Sequence, residues 1–198
     1  MLDQILLNNE EYYITEGGLP CLITYAEKAG GSHFSITMVA DLFLRGSRIL
    51  FLTAYPMAKE NFLKQTKGNE SKTTYITDAN QLNTNSQAII LESGNEKLFL
   101  EAVNKLTDIN ERVVFIKNME VFSDAVFDVC LKLPKLILSG DIDKCFAKKQ
   151  ISEKLFNTTV IFTKPEVKLT YEPPVLEKYT GYLWSGGAEG LVTVKMNN

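Results

Sequence analysis

The sequence predicts a three-layer α/β fold: a mainly parallel central sheet, helices on both faces, and a C-terminal antiparallel hairpin. Three observations carry this. Short apolar runs of strand length alternate with helix-period segments from Cys21 to Phe162, the pattern of successive β-α-β units. The runs are apolar enough to be buried on both faces, as strands of a parallel sheet are. After Pro165 the character changes, and Leu176 to Trp184 and Leu191 to Met196 alternate like antiparallel strands. At 198 residues the chain suits one sizeable domain, with an α/β core over 1–165 and a hairpin extension over 166–198.

The elements follow in order. Cys21-Leu22-Ile23-Thr24-Tyr25 reads as a buried strand, followed by the loop Ala29-Gly30-Gly31-Ser32. Phe34, Ile36, Val39, Ala40, Phe43 and Leu44 then recur at helical spacing, and the helix stops at Arg45-Gly46 with glycine in the C′ position. Residues 48–53 form the next strand, and Pro56 opens a helix over 57–65. The stretch from Thr66 to Ser86 is polar and loop-like, with one short strand candidate, Thr74-Tyr75-Ile76-Thr77. Strands are expected at 88–91, 112–116, 135–139 and 158–162, and helices at Asn95 to Leu106 and Phe122 to Leu133. Asp141 to Leu155 is expected to be helical in part. The hairpin strands are joined by Ser185 to Gly190, and Tyr179, Tyr182 and Trp184 alternate on one hairpin face, as core or as interface anchors.

Composition excludes several functions. The formal charge of −3 argues against a broad nucleic-acid footprint. The start, Met1 to Leu7, has no basic segment, and no apolar run approaches membrane-spanning length, so a cytoplasmic location is expected. Cys21, Cys130 and Cys145 are widely spaced and odd in number, which gives no disulfide framework and no metal knuckle. With His33 the one histidine, zinc sites and serine or cysteine hydrolase triads lose their main ingredient. Glu10-Glu11 and Lys148-Lys149 read as solvated faces.

The segment FSITMVADLFLRGSRILFLT, Phe34 to Thr53, resembles the RecA/KaiC superfamily segment in which an apolar helix ends at Lys/Arg-Gly before a strand. Leu2-Asp3-Gln4-Ile5-Leu6 is similar to the entry of KaiC-like domains, and Gly17-Gly18-Leu19-Pro20 sits near the glycines before their first core strand. The resemblance covers roughly the first quarter of the chain and implies a RecA-like P-loop fold. Aligned on Arg45-Gly46, the phosphate-binding pattern G-x-x-x-x-G-K-[ST] falls on residues 25–32. Gly30 and Ser32 match; Tyr25 stands in place of the first glycine and Gly31 in place of the lysine.

Two further catalytic elements are missing by the same register. The place after the second strand, where KaiC-like enzymes carry acidic residues, reads Thr53-Ala54-Tyr55-Pro56. The Walker B strand ends in Lys117-Asn118, a cation where magnesium's aspartate belongs. This combination resembles the ATPase-like subunits of the Elongator accessory complex, which form a ring without working P-loops. The resemblance implies a non-catalytic RecA-like subunit with ATP hydrolysis lost, no resident cofactor, and self-association or pairing with a related RecA-like subunit.

Lys28, Gly30, Gly31 and Ser32 are the candidate binding residues, a degenerate phosphate loop. The missing lysine favours an ordinary strand-to-helix turn over a phosphate cradle, although a helix N-terminus still attracts anions and leaves room for weak ATP or phosphate binding. The alternative function is an atypical nucleotide-binding ATPase or switch using Lys28 and Ser32; a nucleic-acid-binding paralogue is a third, disfavoured by charge. His33 reads as a partly exposed polar residue. Ser139-Gly140-Asp141, at the carboxyl edge of a core strand, is either a sensor-like polar site or a turn and N-cap.

Overall fold

The computed structural model describes residues 3–145, 151–166, 173–186 and 188–197. Where the sequence places apolar runs it forms strands: β1 Gln4–Leu7, β2 Glu10–Glu11, β3 Cys21–Thr24, β4 Ile49–Thr53, β5 Thr73–Ile76 and β6 Ala88–Leu91. Then follow β7 Val113–Lys117, β8 Leu136–Gly140, β9 Thr158–Ile161, β10 Gly181–Ser185 and β11 Ala188–Lys195. Between them lie the helices α1 Gly31–Leu44, α2 Pro56–Gln65, α3 Glu96–Lys105 and α4 Asp124–Cys130.

The strands form one sheet in the order β2-β1-β11-β10-β9-β3-β8-β7-β4-β6-β5. Neighbours from β9 to β5 run parallel, and those from β9 to β2 antiparallel. Because side chains alternate along a strand, each parallel strand feeds two cores. Ile23, Phe51, Phe115 and Ile137 pack on the α1–α2 side. Leu22, Leu50, Val114 and Leu138 pack with Phe99 of α3 and Phe127 of α4 on the other. The expected mainly parallel three-layer sheet with a C-terminal antiparallel hairpin is what forms.

Local chemistry sets the boundaries. Helix α1 ends as its Arg45-Gly46 signal requires: Gly46 N–H donates to Phe43 O (3.0 Å) and Ser47 N–H to Leu42 O (3.0 Å), with Gly46 at φ 102°. Pro56 opens α2. Asn95 caps α3 by accepting the Leu98 N–H at 2.9 Å.

Three expectations shift. β1 and β2 extend the sheet beyond the hairpin, strands that the N-terminal sequence did not announce. Helix α4 is shorter than Phe122 to Leu133, since Phe122 is extended and Pro134 follows. Tyr179 lies outside the hairpin: it has φ 67° in a turn closed by Thr180 N–H to Glu177 O (3.1 Å), so it cannot share the strand's period with Tyr182 and Trp184. Of the partly helical stretch 141–155, Ile142–Lys144 and Glu153–Leu155 are short 3-10 turns, while 146–150, with Lys148 and Lys149, lies outside the described residues. Among the described residues no helix is long and apolar enough to cross a membrane.

Candidate functional site

The carboxyl ends of β3, β4, β7 and β8 meet at one edge of the sheet, where open α/β folds bind ligands. Each strand delivers a residue there: Tyr25 after β3, Tyr55 after β4, Asn118 after β7 and Asp141 after β8. They line a cavity of about 870 Å³, near the upper end of the roughly 300–1,000 Å³ typical of small-molecule sites. Helix α1 contributes its first turn, α2 contributes Met57 and Asn61, and Tyr179 closes one side.

The structure brings Lys28, Gly30 and Ser32 to this cavity. Lys28 is exposed and left-handed (φ 61°), and Ser32 is exposed at the start of α1. Gly30 turns the chain into the helix at φ 101°, a conformation open to glycine, and its Cα face packs on Tyr179: a Cβ there would sit 3.1 Å from Tyr179 Cα. Gly31 is different. It is buried, and a Cβ would come within 2.4 Å of Tyr25 Cδ1. His33 is partly exposed, its Nε2 3.0 Å from Asp3 Oδ2.

Tyr25 therefore fills the space beside the loop that a lysine at position 31 would need. Its backbone is fixed by donation to Gly140 O at 3.0 Å, and its hydroxyl accepts a hydrogen bond from Lys117 Nζ at 2.5 Å. Lys117 is 2% exposed, behind Tyr25 at the end of β7. Burial pushes its amine down to about 7, against a smaller opposing pull from Glu120. Burial likewise pushes the Tyr25 phenol up to about 12. Ser139 on β8 faces that phenol and eases its ionisation, without reaching hydrogen-bonding geometry. Lys117 thus does not present an open cation to the cavity, as the sequence suggested; it is a desolvated amine plugged by a tyrosine.

Sequence reasoning also missed the carboxylate Glu120. It comes from the 3-10 turn Met119–Val121, and it reaches the cavity wall while accepting the Asp141 N–H at 3.0 Å. Asp141 caps the next turn by accepting Asp143 N–H (3.2 Å) and pairs with Lys144 (3.1 Å), which fits the N-cap reading of that segment. No Walker register points to Glu120. The sequence shows Tyr25 in place of the first loop glycine and Gly31 in place of the lysine; that the two compensate in size is visible only in their contact.

No protein-family model matches the sequence, and no curated protein matches it. Solved structures do. The genome packaging NTPase B204 of Sulfolobus turreted icosahedral virus 2, in complex with ATP-gammaS, matches with TM-score 0.56 and 11% identity, over 93% of this chain and 100% of that one. The same NTPase with AMPPCP matches with TM-score 0.55 and 11% identity over 90% and 97%, and with AMP with TM-score 0.54 and 11% identity over 90% and 96%. The chain has the P-loop NTPase fold. In the register aligned on Arg45-Gly46, the residues supply neither the loop lysine nor the metal carboxylate that a magnesium triphosphate calls for. The lysine position is Gly31 under the Tyr25 ring, the Walker B position is the buried Lys117, and no carboxylate follows β4. Among the described residues no three His, Cys, Asp or Glu side chains gather as metal ligands.

The buried pair has a pH signature. Between about 7 and the ordinary lysine value of 10.5, unfolded Lys117 holds a proton that the folded amine has shed. Stability therefore rises with pH in that window, by at most about 1.4 kcal/mol per unit for one group. The Cys130 thiol, raised by burial from 9.0 to about 12, and the Cys21 thiol, raised further, act oppositely above pH 9. Denaturant unfolding should show stability climbing from pH 7 to 9 and falling beyond. In Lys117→Met the climb should vanish and stability at pH 7 should exceed wild type. Equal slopes in both proteins would remove the buried-amine account.

Proposed function

We propose that this chain is a catalytically silent, RecA/KaiC-like subunit that keeps a ligand cavity and acts by binding and assembly, with ATP hydrolysis lost. The observation that carries the reading is the packing of Tyr25 against Gly31 with Lys117 bonded behind it. Phosphoryl transfer depends on positioning and charge stabilisation, and this arrangement puts a buried tyrosine–lysine pair where the loop lysine and the metal's carboxylate would act. The nucleotide complexes of the B204 NTPase support reading the cavity as a ligand site. Three free, buried cysteines fit a reducing, cytoplasmic setting.

Assembly partners are a second copy of this chain or a related RecA-like subunit, meeting on the half-buried face of β10 that carries Tyr182 and Trp184. Two measurements test this. Phosphate release from ATP and magnesium should stay at background; magnesium-dependent turnover that Ser32→Ala abolishes would overturn the silent reading. Light scattering at micromolar concentration should show a dimer or ring, and a monomer with no co-purifying partner would overturn the assembly reading.

A further inference from the structure

The misfit to a triphosphate leaves the cavity's own chemistry to name its ligand. Two lysines, Lys28 and Lys144, line it against three carboxylates, Glu27, Glu120 and Asp141. Lys144 is already paired with Asp141 at 3.1 Å, so a polyanion would meet more like charge than unlike. The loop glycines are also engaged, Gly31 by the Tyr25 ring and Gly30 by the backbone of Tyr179. What the cavity offers in surplus is apolar and flat surface. Tyr55 is 55% exposed and Met57 71% exposed, both on its wall beside Ile36 of α1. Large side chains left in water around one cavity mark a binding surface. Asn61, one turn beyond Met57 on α2, and Asn118 after β7 add amide groups that both donate and accept at ring edges.

We propose that the cavity binds a nucleoside or nucleoside monophosphate in preference to a triphosphate, its ring against Tyr55 and Met57, without need of magnesium. The proposal rests on reading the cavity as a ligand site. It predicts an affinity order opposite to that of a working phosphate loop: added phosphates weaken binding, because the walls carry the wrong charge for them. The ring contact follows the general strength of base–aromatic stacking.

The test is calorimetric titration of the full chain with adenosine, AMP, GMP and ATP, with and without magnesium. Adenosine, AMP or GMP should bind at least tenfold more tightly than ATP, and magnesium should not change that ratio. Tyr55→Ala, which removes an exposed ring at a helix N-cap that uses no side-chain cap bond, should weaken the preferred ligand at least fivefold, and Tyr55→Phe should restore it. Tighter binding of ATP with magnesium than of AMP would overturn this inference while leaving the absence of hydrolysis untouched. No binding of any of the four at millimolar concentration, or unchanged affinity in Tyr55→Ala, would overturn it too. Turnover of ATP by the wild type would sink the silent-subunit reading instead.

Discussion

Gly31→Lys, which restores the signature lysine, should destabilise the protein and leave it without ATP turnover. Any side chain at position 31 begins with a Cβ placed 2.4 Å from Tyr25 Cδ1 and 2.7 Å from Tyr25 Cβ. These are atoms at the root of a buried side chain, so the backbone itself must move. Forced overpacking of this kind costs about 1–3 kcal/mol, sometimes more. The lysine would also bring a cation toward the buried Lys117 amine, with no carboxylate at the aligned Walker B position to hold magnesium. The clash can be isolated with Gly31→Ala and Tyr25→Ala. Gly31→Ala alone should cost about 1–3 kcal/mol, and Tyr25→Ala about 3–5 kcal/mol from the lost ring. The double variant should cost less than their sum, because the second change empties the space the first one overfills. Denaturant midpoints of the three proteins measure this; strict additivity would mean that Tyr25 and Gly31 do not compete for one space. Magnesium-dependent phosphate release by Gly31→Lys would show a site that one residue can revive.

Asp108→Ala should cost comparably, at the opposite edge of the sheet. Arg112 has no exposed side-chain surface, and its Nε lies 2.9 Å from Asp108 Oδ2, which Arg48 also approaches at 2.6 Å. The Arg112 guanidinium further donates to Thr84 O (3.0 Å) and Ser86 O (3.1 Å), tying the polar stretch before β6 to the start of β7. Burial lowers the proton affinity of Arg112, and Asp108 opposes that. Removing one partner of a buried pair leaves an uncompensated charge and costs about 3–5 kcal/mol. For a chain of 198 residues that is a fall in Tm of roughly 6–20 °C. Arg112→Met, which deletes the charge and keeps bulk, should lose less than Asp108→Ala. A Tm for Asp108→Ala within 2 °C of wild type, by about the smallest shift expected per kcal/mol, would mean that the pair is bystander geometry.

The parallel body of this protein is legible in its local pattern. A doubly buried strand must be apolar on both faces, so Leu22-Ile23, Leu50-Phe51 and Val113 to Ile116 declare themselves, and Pro56 and Arg45-Gly46 mark helix ends by local backbone chemistry. The sequence also located the loop at 28–32 and the absence of its lysine. What surrounds that loop depends on the assembled sheet. β1 gains its place from pairing with β11, a partner nearly the whole chain away (Gln4 opposite Lys195), which no local pattern encodes, and β2 then pairs with β1. Glu120 and Asp141 reach the cavity because β7 and β8 end side by side. Lys117 is far in sequence from Tyr25 and Gly31 yet forms one unit with them, since β3 and β7 flank β8 in the sheet. Local sequence sets which residues are buried; which charge ends up desolvated behind which ring depends on strand order, and that is settled only when the sheet assembles.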